Sequence, residues 1–257
     1  MKKNIILIIL IFQINIIEGQ EKKTQWDEIE ISDMSALLYK QKTASTASTG
    51  TCSIIEHNAK FYLVTAAHVA KPMDSLSQII FRIENDKPYK VDLKRISATS
   101  GINWVFHKEA DMAILELKIP NEKFLKNRIE NNSFPSSQIN NGKNLPSRDS
   151  DITFFGYPVI DLDLTHFSSL SFNSKICSGL LTQRRGDNKK KSTFFYLNIP
   201  SIQGCSGSGV YYSVKRSMFH GGKKTIFLGV MHGTYSDNTG GKLAAITPSY
   251  YLFDILK

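Results

Sequence analysis

The sequence has few cysteines, and their number is odd. Among its 257 residues, the thiols are those of Cys52, Cys177 and Cys205, so at least one of them stays free or pairs between chains. No two of these cysteines have the spacing of a zinc-binding pair, and none lies near a histidine in a zinc pattern. We therefore expect neither a structural metal site nor a bound cofactor.

Long helical patterns and internal repeats are also missing. Proline and glycine are not enriched, and apolar residues make up 41% of the chain, which is enough for a globular core. The apolar residues occur in strand-length runs rich in β-branched or aromatic side chains, at 61–64, 79–81, 112–115, 152–155, 194–197, 226–228 and 243–246. Because no amphipathic helix clearly follows these runs, the sequence predicts an antiparallel all-β fold.

The longest apolar stretch lies at the N-terminus. Lys2 and Lys3 precede a mostly apolar stretch at 5–17, and Gly19 is small enough for a cleavage site after it. This pattern is typical of a signal peptide over residues 1–19, so we expect a secreted or periplasmic protein. The stretch is short for a membrane span, and we expect no stable membrane insertion after cleavage. An uncleaved N-terminal anchor is the alternative.

The chain has an excess of positive charge, +9 in total, and a cluster of basic residues between two predicted strands. The cluster consists of Arg184, Arg185, Lys189, Lys190 and Lys191. Such a run can bind an anionic surface, but no aromatic residues alternate with it to stack on bases. We expect a solvated hairpin loop here and no nucleic-acid partner.

Three short stretches carry candidate catalytic side chains. Residues 64–69 (Val-Thr-Ala-Ala-His-Val) end a predicted strand in small residues and then a histidine. Residues 111–115 (Asp-Met-Ala-Ile-Leu) place an aspartate at the start of an apolar strand. Residues 204–210 (Gly-Cys-Ser-Gly-Ser-Gly-Val) form a glycine-rich turn around a serine.

These residue types in this order suit nucleophilic catalysis. A serine hydroxyl becomes a useful nucleophile only when a base lies within hydrogen-bond reach. Histidine suits that role because its pKa lies near neutral pH, and a buried aspartate can hold its other ring nitrogen. Glycines beside the serine let backbone N–H groups converge on an oxyanion. The sequence therefore predicts a triad of His68, Asp111 and Ser206.

The same three stretches resemble the motifs of the chymotrypsin-like serine peptidases, especially the bacterial branch that includes the glutamyl endopeptidases and the HtrA-type proteases. Residues 65–68 look like the family's catalytic histidine motif, 111–115 like its aspartate motif, and 204–208 like its G-x-S-G-[GS] nucleophile motif. Softer similarities occur at 50–55, 155–158 and 228–230. The resemblance covers about residues 37–254.

The resemblance implies a fold of two antiparallel six-stranded β-barrels with the triad in the cleft between them. After a lead-in at 20–36, the peptidase domain would span 37–257. Its expected parts are a first barrel at about 37–120, a linker at 121–150, a second barrel at about 151–248 and a short C-terminal helix at 249–256. Ser249 is placed to cap that helix.

The resemblance also implies roles for residues around the triad. His68 and Asp111 would come from the first barrel and Ser206 from the second. The backbone N–H groups of Gly204 and Ser206 would form the oxyanion hole. The implied substrate-binding residues are Ser201, Met231, His232 and Gly233.

The chain departs from the family in ways that narrow these expectations. Cys205 stands where the trypsin-type branch has an aspartate that pairs with a freed N-terminus, so we do not expect activation by that ion pair. Glutamyl endopeptidases carry a pocket histidine two residues after the glycine matching Gly229, where this chain has Met231. His232 is one position further on, and a one-residue slip turns a strand side chain to the other face. No peptide-binding domain follows the matched region, so we expect no HtrA-type cage.

Cys205 also offers an alternative nucleophile, because viral relatives use cysteine in a G-x-C-G motif. That frame requires glycine at the positions of Gln203 and Ser206, whereas the frame centred on Ser206 has Gly204 and Gly207 in place. We therefore expect Ser206 to be the nucleophile. Cys205 would be a buried thiol or the disulfide partner of either remaining cysteine.

Together these features predict an exported serine endopeptidase that hydrolyses proteins or peptides through an acyl-enzyme on Ser206. His68 would act as base and then acid, and Asp111 would orient it. One alternative is a catalytically inactive trypsin-fold domain that binds or regulates. An esterase-like hydrolase is disfavoured because its nucleophile motif is G-x-S-x-G and its triad runs in the order Ser, Asp, His. The sequence indicates no oligomeric state.

Overall fold

The structure, a computed structural model, describes residues 23–158, 167–214 and 224–257. It consists mainly of antiparallel β-strands, which confirms the predicted all-β class. The predicted signal peptide at 1–19 lies outside the described residues. Within the described part of the chain, no helix combines the length and apolar character needed to cross a membrane.

The first sheet is formed by the N-terminal half of the chain. Its strands are β1 (Ser35–Gln41), β2 (Ala47–His57), β3 (Lys60–Thr65), β4 (Gln78–Ile83), β5 (Lys87–Asp92), β6 (Val105–Phe106), β7 (Ala113–Leu117) and β8 (Phe134–Pro135). They pair in the order β5-β4-β1-β2-β3-β7-β6. The short β8 pairs with β2 in parallel, and the other pairs are antiparallel.

The second sheet is formed by the C-terminal half. Its strands are β9 (Asp151–Gly156), β10 (Leu170–Lys175), β11 (Leu181–Arg184), β12 (Lys191–Leu197), β13 (Gly209–Tyr212), β14 (Ile226–Ser236) and β15 (Lys242–Pro248). They pair in the order β10-β9-β13-β14-β15-β12-β11. The two sheets therefore contain eight and seven strands in the described residues, where the resemblance implied six in each barrel.

The largest apolar core joins the two sheets. It contains buried side chains from both, such as Ile54 of β2, Phe155 of β9, and Tyr211 of β13. The Tyr211 hydroxyl also donates a hydrogen bond to the Ser53 hydroxyl, at 3.3 Å, so a polar contact crosses the same boundary. This packing fixes the first sheet against the second, and residues from both can build one site.

The described residues contain four short α-helices, which are α1 (Glu28–Asp33), α2 (Ala67–Ala70), α3 (Leu93–Ile96) and α4 (Lys123–Asn131). The first of these falls in the predicted lead-in. The Asp27 carboxylate accepts from the Glu30 N–H at 2.9 Å, and the Glu30 carboxylate accepts from the Asp27 N–H at 3.0 Å. This reciprocal capping box satisfies two N–H groups that the helix itself cannot bond, and it explains why a polar segment is ordered.

The segment 121–150, expected to be a linker, contains α4. Leu125 and Ile129 are fully buried and lie one helical turn apart, with Arg128 also buried beside them. This spacing puts the three side chains on one face of the helix. The segment therefore packs onto the core instead of only connecting the two sheets.

The C-terminal helix is a 3₁₀-helix over Ser249–Asp254, two residues shorter than the helix expected at 249–256. The Ser249 hydroxyl does not cap it. That hydroxyl donates to the carbonyls of Asn140, at 2.7 Å, and Phe227, at 3.2 Å. Because Ser249 is almost fully buried, its hydroxyl satisfies neighbouring carbonyls and ties the end of the chain to β14.

Candidate active site

His68 lies in the short helix α2, immediately after β3. Its ring Nδ1 is 2.7 Å from Asp111 Oδ2, and its backbone N–H donates to Asp111 Oδ1 at 3.0 Å. A carboxylate is only an acceptor when ionised, so His68 Nδ1 carries the proton. This leaves Nε2 as a free base on a side chain that is 31% exposed.

Asp111 lies between β6 and β7 with no exposed side-chain surface. Each carboxylate oxygen has two partners. Oδ1 accepts from the His68 backbone and from Arg185 Nη2 at 2.9 Å, and Oδ2 accepts from His68 Nδ1 and from His232 Nδ1 at 2.5 Å. Burial alone would raise the pKa of this carboxyl, but the hydrogen bonds from His232 and His68 outweigh burial and hold that pKa well below its usual range.

Arg185 comes from the hairpin between β11 and β12, in the second sheet, and reaches the aspartate of the first. It is 3% exposed. Besides Asp111, its guanidinium donates to the Glu109 carbonyl at 3.1 Å and to the Asp187 carboxylate at 2.6 and 2.9 Å. The prediction of a solvated hairpin loop is therefore wrong for Arg185, because this cation is buried and pairs with two carboxylates.

His232 lies at a β-bulge where the pairing of β14 with β15 shifts between Met231 and Gly233. A bulge re-aims one side chain relative to the regular alternation. The His232 ring lies edge-on to His68, with ring centroids 5.6 Å apart, and 5.0 Å from the ring of Phe194. His232 was expected to bind substrate, and its contact with Asp111 was not predicted.

The turn that carries Ser206 is held between the two sheets. Thr51 of β2 donates twice to it, from its N–H to the Ser206 carbonyl at 2.8 Å and from its hydroxyl to the Gly204 carbonyl at 2.9 Å. On the other side, the Gly207 N–H donates to the Met231 carbonyl at 2.8 Å. These bonds fix the turn in position relative to His68.

Glycine is required at Gly207. Its φ is +88°, and a Cβ there would lie 2.0 Å from the Thr51 carbonyl oxygen. Gly204 also has a positive φ, of +96°. Within the described residues, the N–H groups of Gly204 and Ser206 donate to no protein acceptor, so both remain available for an oxyanion.

Ser206 and His68 line the same pocket, of about 290 Å³. In the structure the Ser206 hydroxyl donates to the His232 carbonyl at 3.2 Å. It must turn from this carbonyl to His68 Nε2 before it can give up its proton. Catalytic hydrogen bonds are often looser without substrate than in the reacting complex.

All three cysteines are free thiols. Cys205, next to Ser206, is fully buried, and burial raises its pKa to about 11. A thiol is a good nucleophile only as thiolate, so the state of Cys205 disfavours it as the attacking group. Cys205 was expected to be either a buried thiol or a disulfide partner, and in the structure it is a buried thiol.

The other predicted substrate-binding residues have different surroundings. Ser201 donates its N–H to the Thr234 hydroxyl at 2.9 Å, and its carbonyl accepts from the same hydroxyl. Met231 has no exposed surface and packs in the core of the second sheet. Gly233 is half-buried, and a Cβ added to it would meet no atom within 4 Å, so open space adjoins it.

A second serine–histidine pair lies elsewhere on the first sheet. His57 Nδ1 is 2.9 Å from the Ser136 hydroxyl, and its Nε2 is 3.1 Å from the Asn58 amide. An amide carries no charge with which to stabilise an imidazolium. This pair therefore lacks the carboxylate that His68 has.

The ligand atoms of His68, Asp111 and His232 lie within 4.8 Å of one another, close enough in principle to hold a metal ion. Both imidazoles donate to the carboxylate, and Arg185 already places a cation on it. A metal ion would have to displace two ring protons and lie beside that cation. The arrangement fits a hydrogen-bonded network better than a metal centre.

The profile of one protein family, described as the trypsin-like peptidase domain, matches residues 50–215. The match spans most of the chain and includes His68, Asp111 and Ser206. The chain therefore belongs to the trypsin-like peptidase domain family.

Comparison with solved structures gives the same fold. The chain is similar to the crystal structure of the thermostable serine protease AL20 from an extremophilic microorganism, with a TM-score of 0.50 and 12% sequence identity. The similarity covers 88% of this chain and 98% of that one. No curated protein matches the sequence.

Proposed function

We propose that the protein is a serine endopeptidase that hydrolyses peptide bonds through an acyl-enzyme on Ser206. The observation that carries this proposal is the hydrogen bond from His68 Nδ1 to the buried Asp111 carboxylate. It leaves Nε2 as the free base, in a pocket that Ser206 also lines. The peptidase family supports a protein or peptide substrate.

In the proposed reaction, His68 Nε2 takes the proton of the Ser206 hydroxyl while its oxygen attacks the carbonyl carbon of the scissile bond. The N–H groups of Gly204 and Ser206 stabilise the oxyanion of the tetrahedral intermediate. Protonated His68 then gives its proton to the leaving amine, and the C–N bond breaks. Water repeats the sequence on the ester, with His68 as base, and releases the acid product and free Ser206.

Asp111 acts in this reaction through His68. It fixes the ring orientation and the tautomer, and its charge stabilises the imidazolium that forms in each step. Burial, the largest single influence, lowers the pKa of His68, but the hydrogen bond and charge of Asp111 together raise it. The imidazole is thus a stronger base than an isolated one.

We also propose that the protein is exported to the periplasm or the medium after removal of residues 1–19. A second proposal is that it belongs to the bacterial branch that includes the glutamyl endopeptidases and the HtrA-type proteases. The first proposal is supported by the Lys2-Lys3 start and the apolar stretch after it, and the second by the three motifs. N-terminal sequencing of the mature protein tests the first, since an intact Met1 form in the cytosol contradicts it.

The direct test is labelling by a peptidyl phosphonate or a sulfonyl fluoride. We expect the reagent to modify Ser206 and to abolish cleavage of a mixed peptide library. Ser206→Ala should retain only the roughly 10³–10⁴-fold residual rate over water that binding and the oxyanion hole supply. If the folded protein neither reacts nor cleaves any peptide, the inactive binding or regulatory domain replaces this proposal. The bond from the Ser206 hydroxyl to the His232 carbonyl, rather than to His68, is what favours that alternative.

A further inference from the structure

A pocket of about 630 Å³ opens beside His68, on the side of the ring next to the hairpin between β11 and β12. Three separate segments form its walls. Lys71 and Pro72 follow α2, Phe106 and Lys108 lie around the end of β6, and Lys190 precedes β12. We call these five residues the lysine pocket.

The charge of the lysine pocket is unbalanced. Lys71, Lys108 and Lys190 are exposed, and none of them forms an ion pair within the described part of the chain. Asp187 also lines the pocket, and its carboxylate shares the single cation of Arg185 with Asp111. The three lysines and Arg185 outnumber the two carboxylates, Asp187 and Asp111, so the pocket keeps a net positive charge.

The pocket also has an apolar wall. Phe106 is 45% exposed, and Pro72 is the other apolar residue among the five. A low-dielectric wall next to a cluster of like charges strengthens the field that an incoming anion experiences. The wall can hold the stem of a side chain while the lysines hold its charged end.

We propose that the lysine pocket binds an anionic side chain of the peptide substrate within a few residues of the bond that is cut. The inference rests on the proposed peptidase function, and it adds a substrate class: peptides with an acidic or phosphorylated residue near the scissile bond. The pocket shares His68 with the catalytic pocket. A peptide lying across His68 therefore reaches both.

Exposed ion pairs are individually weak, and each changes an equilibrium by only about 1.5- to 5-fold, so the expected preference is moderate. Three lysines acting on one carboxylate correspond to a roughly tenfold higher kcat/KM for the acidic peptide. The preference should fall with added salt, because ions screen exposed charges. A dianionic phosphoryl group should gain more than a carboxylate.

The test uses matched fluorogenic peptides that carry glutamate, glutamine or phosphoserine at one position at a time, from four residues before to four residues after the cut. We expect the glutamate-to-glutamine ratio of kcat/KM to rise to about ten at one or two adjacent positions. In the Lys71→Gln, Lys108→Gln, Lys190→Gln triple variant, that ratio should fall to about one. The phosphoserine arm distinguishes a phosphate site from a carboxylate site.

The matched control is a triple variant at exposed lysines outside the pocket, namely Lys94→Gln, Lys126→Gln and Lys143→Gln. It removes the same net charge and should keep the ratio at about ten. Equal rates for glutamate and glutamine peptides at every position would overturn the inference. An equal loss in the control would also overturn it, because the preference would then come from the overall charge.

A binding experiment separates this inference from the catalytic proposal. Ser206→Ala should bind the preferred glutamate peptide about tenfold more tightly than the glutamine peptide, as measured by fluorescence anisotropy. If the wild-type protein cuts nothing but this binding preference is found, the catalytic proposal fails and the pocket assignment stands. If cleavage occurs without any charge preference in rate or binding, the pocket assignment fails alone.

Discussion

His232 donates its Nδ1 proton to Asp111 Oδ2, the same oxygen that accepts from His68. The aspartate thus holds two imidazoles whose rings meet edge to face. Only the His68 side chain also lines the pocket that Ser206 lines. His232 is therefore a positioning residue, which acts on the reaction through the carboxylate.

His232→Phe keeps an aromatic ring at the bulge and removes this bond. We expect kcat/KM to fall about tenfold, since a hydrogen bond to a charged group is worth about 1.5–3 kcal/mol and part of it is felt at His68. With one donor fewer, the Asp111 charge acts more strongly on His68, so the acidic limb of the pH profile should move to higher pH. A merely structural role would lower the rate without moving the limb, and His57→Phe, at the second serine–histidine pair, is the control.

The pH dependence of the wild-type kcat/KM should reflect the protonation of His68. Attack requires neutral His68, so kcat/KM should rise with pH as His68 loses its proton. Although burial lowers the pKa of His68, Asp111 and then Asp187 raise it above the ordinary value. The midpoint should lie above about 6.5, and Asp187→Asn should move it downward. A wild-type midpoint well below about 6.5 would contradict the arrangement at Asp111.

The buried pair of Arg185 and Asp111 should matter for stability. Arg185→Met leaves the carboxylate of Asp111 buried without its cation, and breaking such a pair costs about 3–5 kcal/mol. Chemical denaturation of the folded protein measures this loss. Arg185→Lys should recover only part of it, because an ammonium cannot match the paired N–H groups that the guanidinium aims at Asp111, Asp187 and the Glu109 carbonyl. Full stability in Arg185→Met would show that the pair has no net effect.

The contrast between His68 and His232 shows which contacts of the site could be predicted from the sequence and which could not. His68 and Asp111 each belong to a short sequence motif beside the end or the start of a strand, so their pairing was predictable from those motifs. Arg185 and His232 reach the same carboxylate from 74 and 121 residues away. Their contacts depend on a hairpin orientation and a bulge that no local pattern predicts. These two residues were therefore missed or assigned elsewhere.

The helices also differ in how readily the sequence predicts them. Asp27 and Glu30 form a capping box, and its D-x-x-E spacing is visible in the sequence, so the start of α1 could have been predicted. The helix α4 was less evident, because its two fully buried apolar residues stand among lysines and asparagines that suggest a loop. Its stability comes from packing Leu125 and Ile129 on the core, a tertiary effect.

Gly207→Ala tests whether the close packing of the turn that carries Ser206 against Thr51 is needed for activity. The added methyl group would lie 2.0 Å from the Thr51 carbonyl oxygen, so the turn must move and carry the oxyanion donors with it. Loss of such a donor costs about 10²–10³-fold in kcat, and we expect a fall of that size. Gly240→Ala is the matched control, because Gly240 also has a positive φ, of +93°, but has nothing within 4 Å of the added Cβ. A similar fall in both variants would attribute the effect to backbone strain alone.

Cys205 separates the serine mechanism from the cysteine alternative. Cys205 is buried and its pKa is raised to about 11, whereas Cys177 is only half-buried. Iodoacetamide at mildly alkaline pH should therefore modify Cys177 first and Cys205 slowly. Mass spectrometry of timed samples measures the two rates. Activity should survive the modification of Cys177. Cys205→Ala should keep the chemistry and lose stability by about 1–3 kcal/mol, because it removes a buried sulfur and leaves a small cavity. Loss of turnover in folded Cys205→Ala, together with retained turnover in Ser206→Ala, would reverse the assignment of the nucleophile.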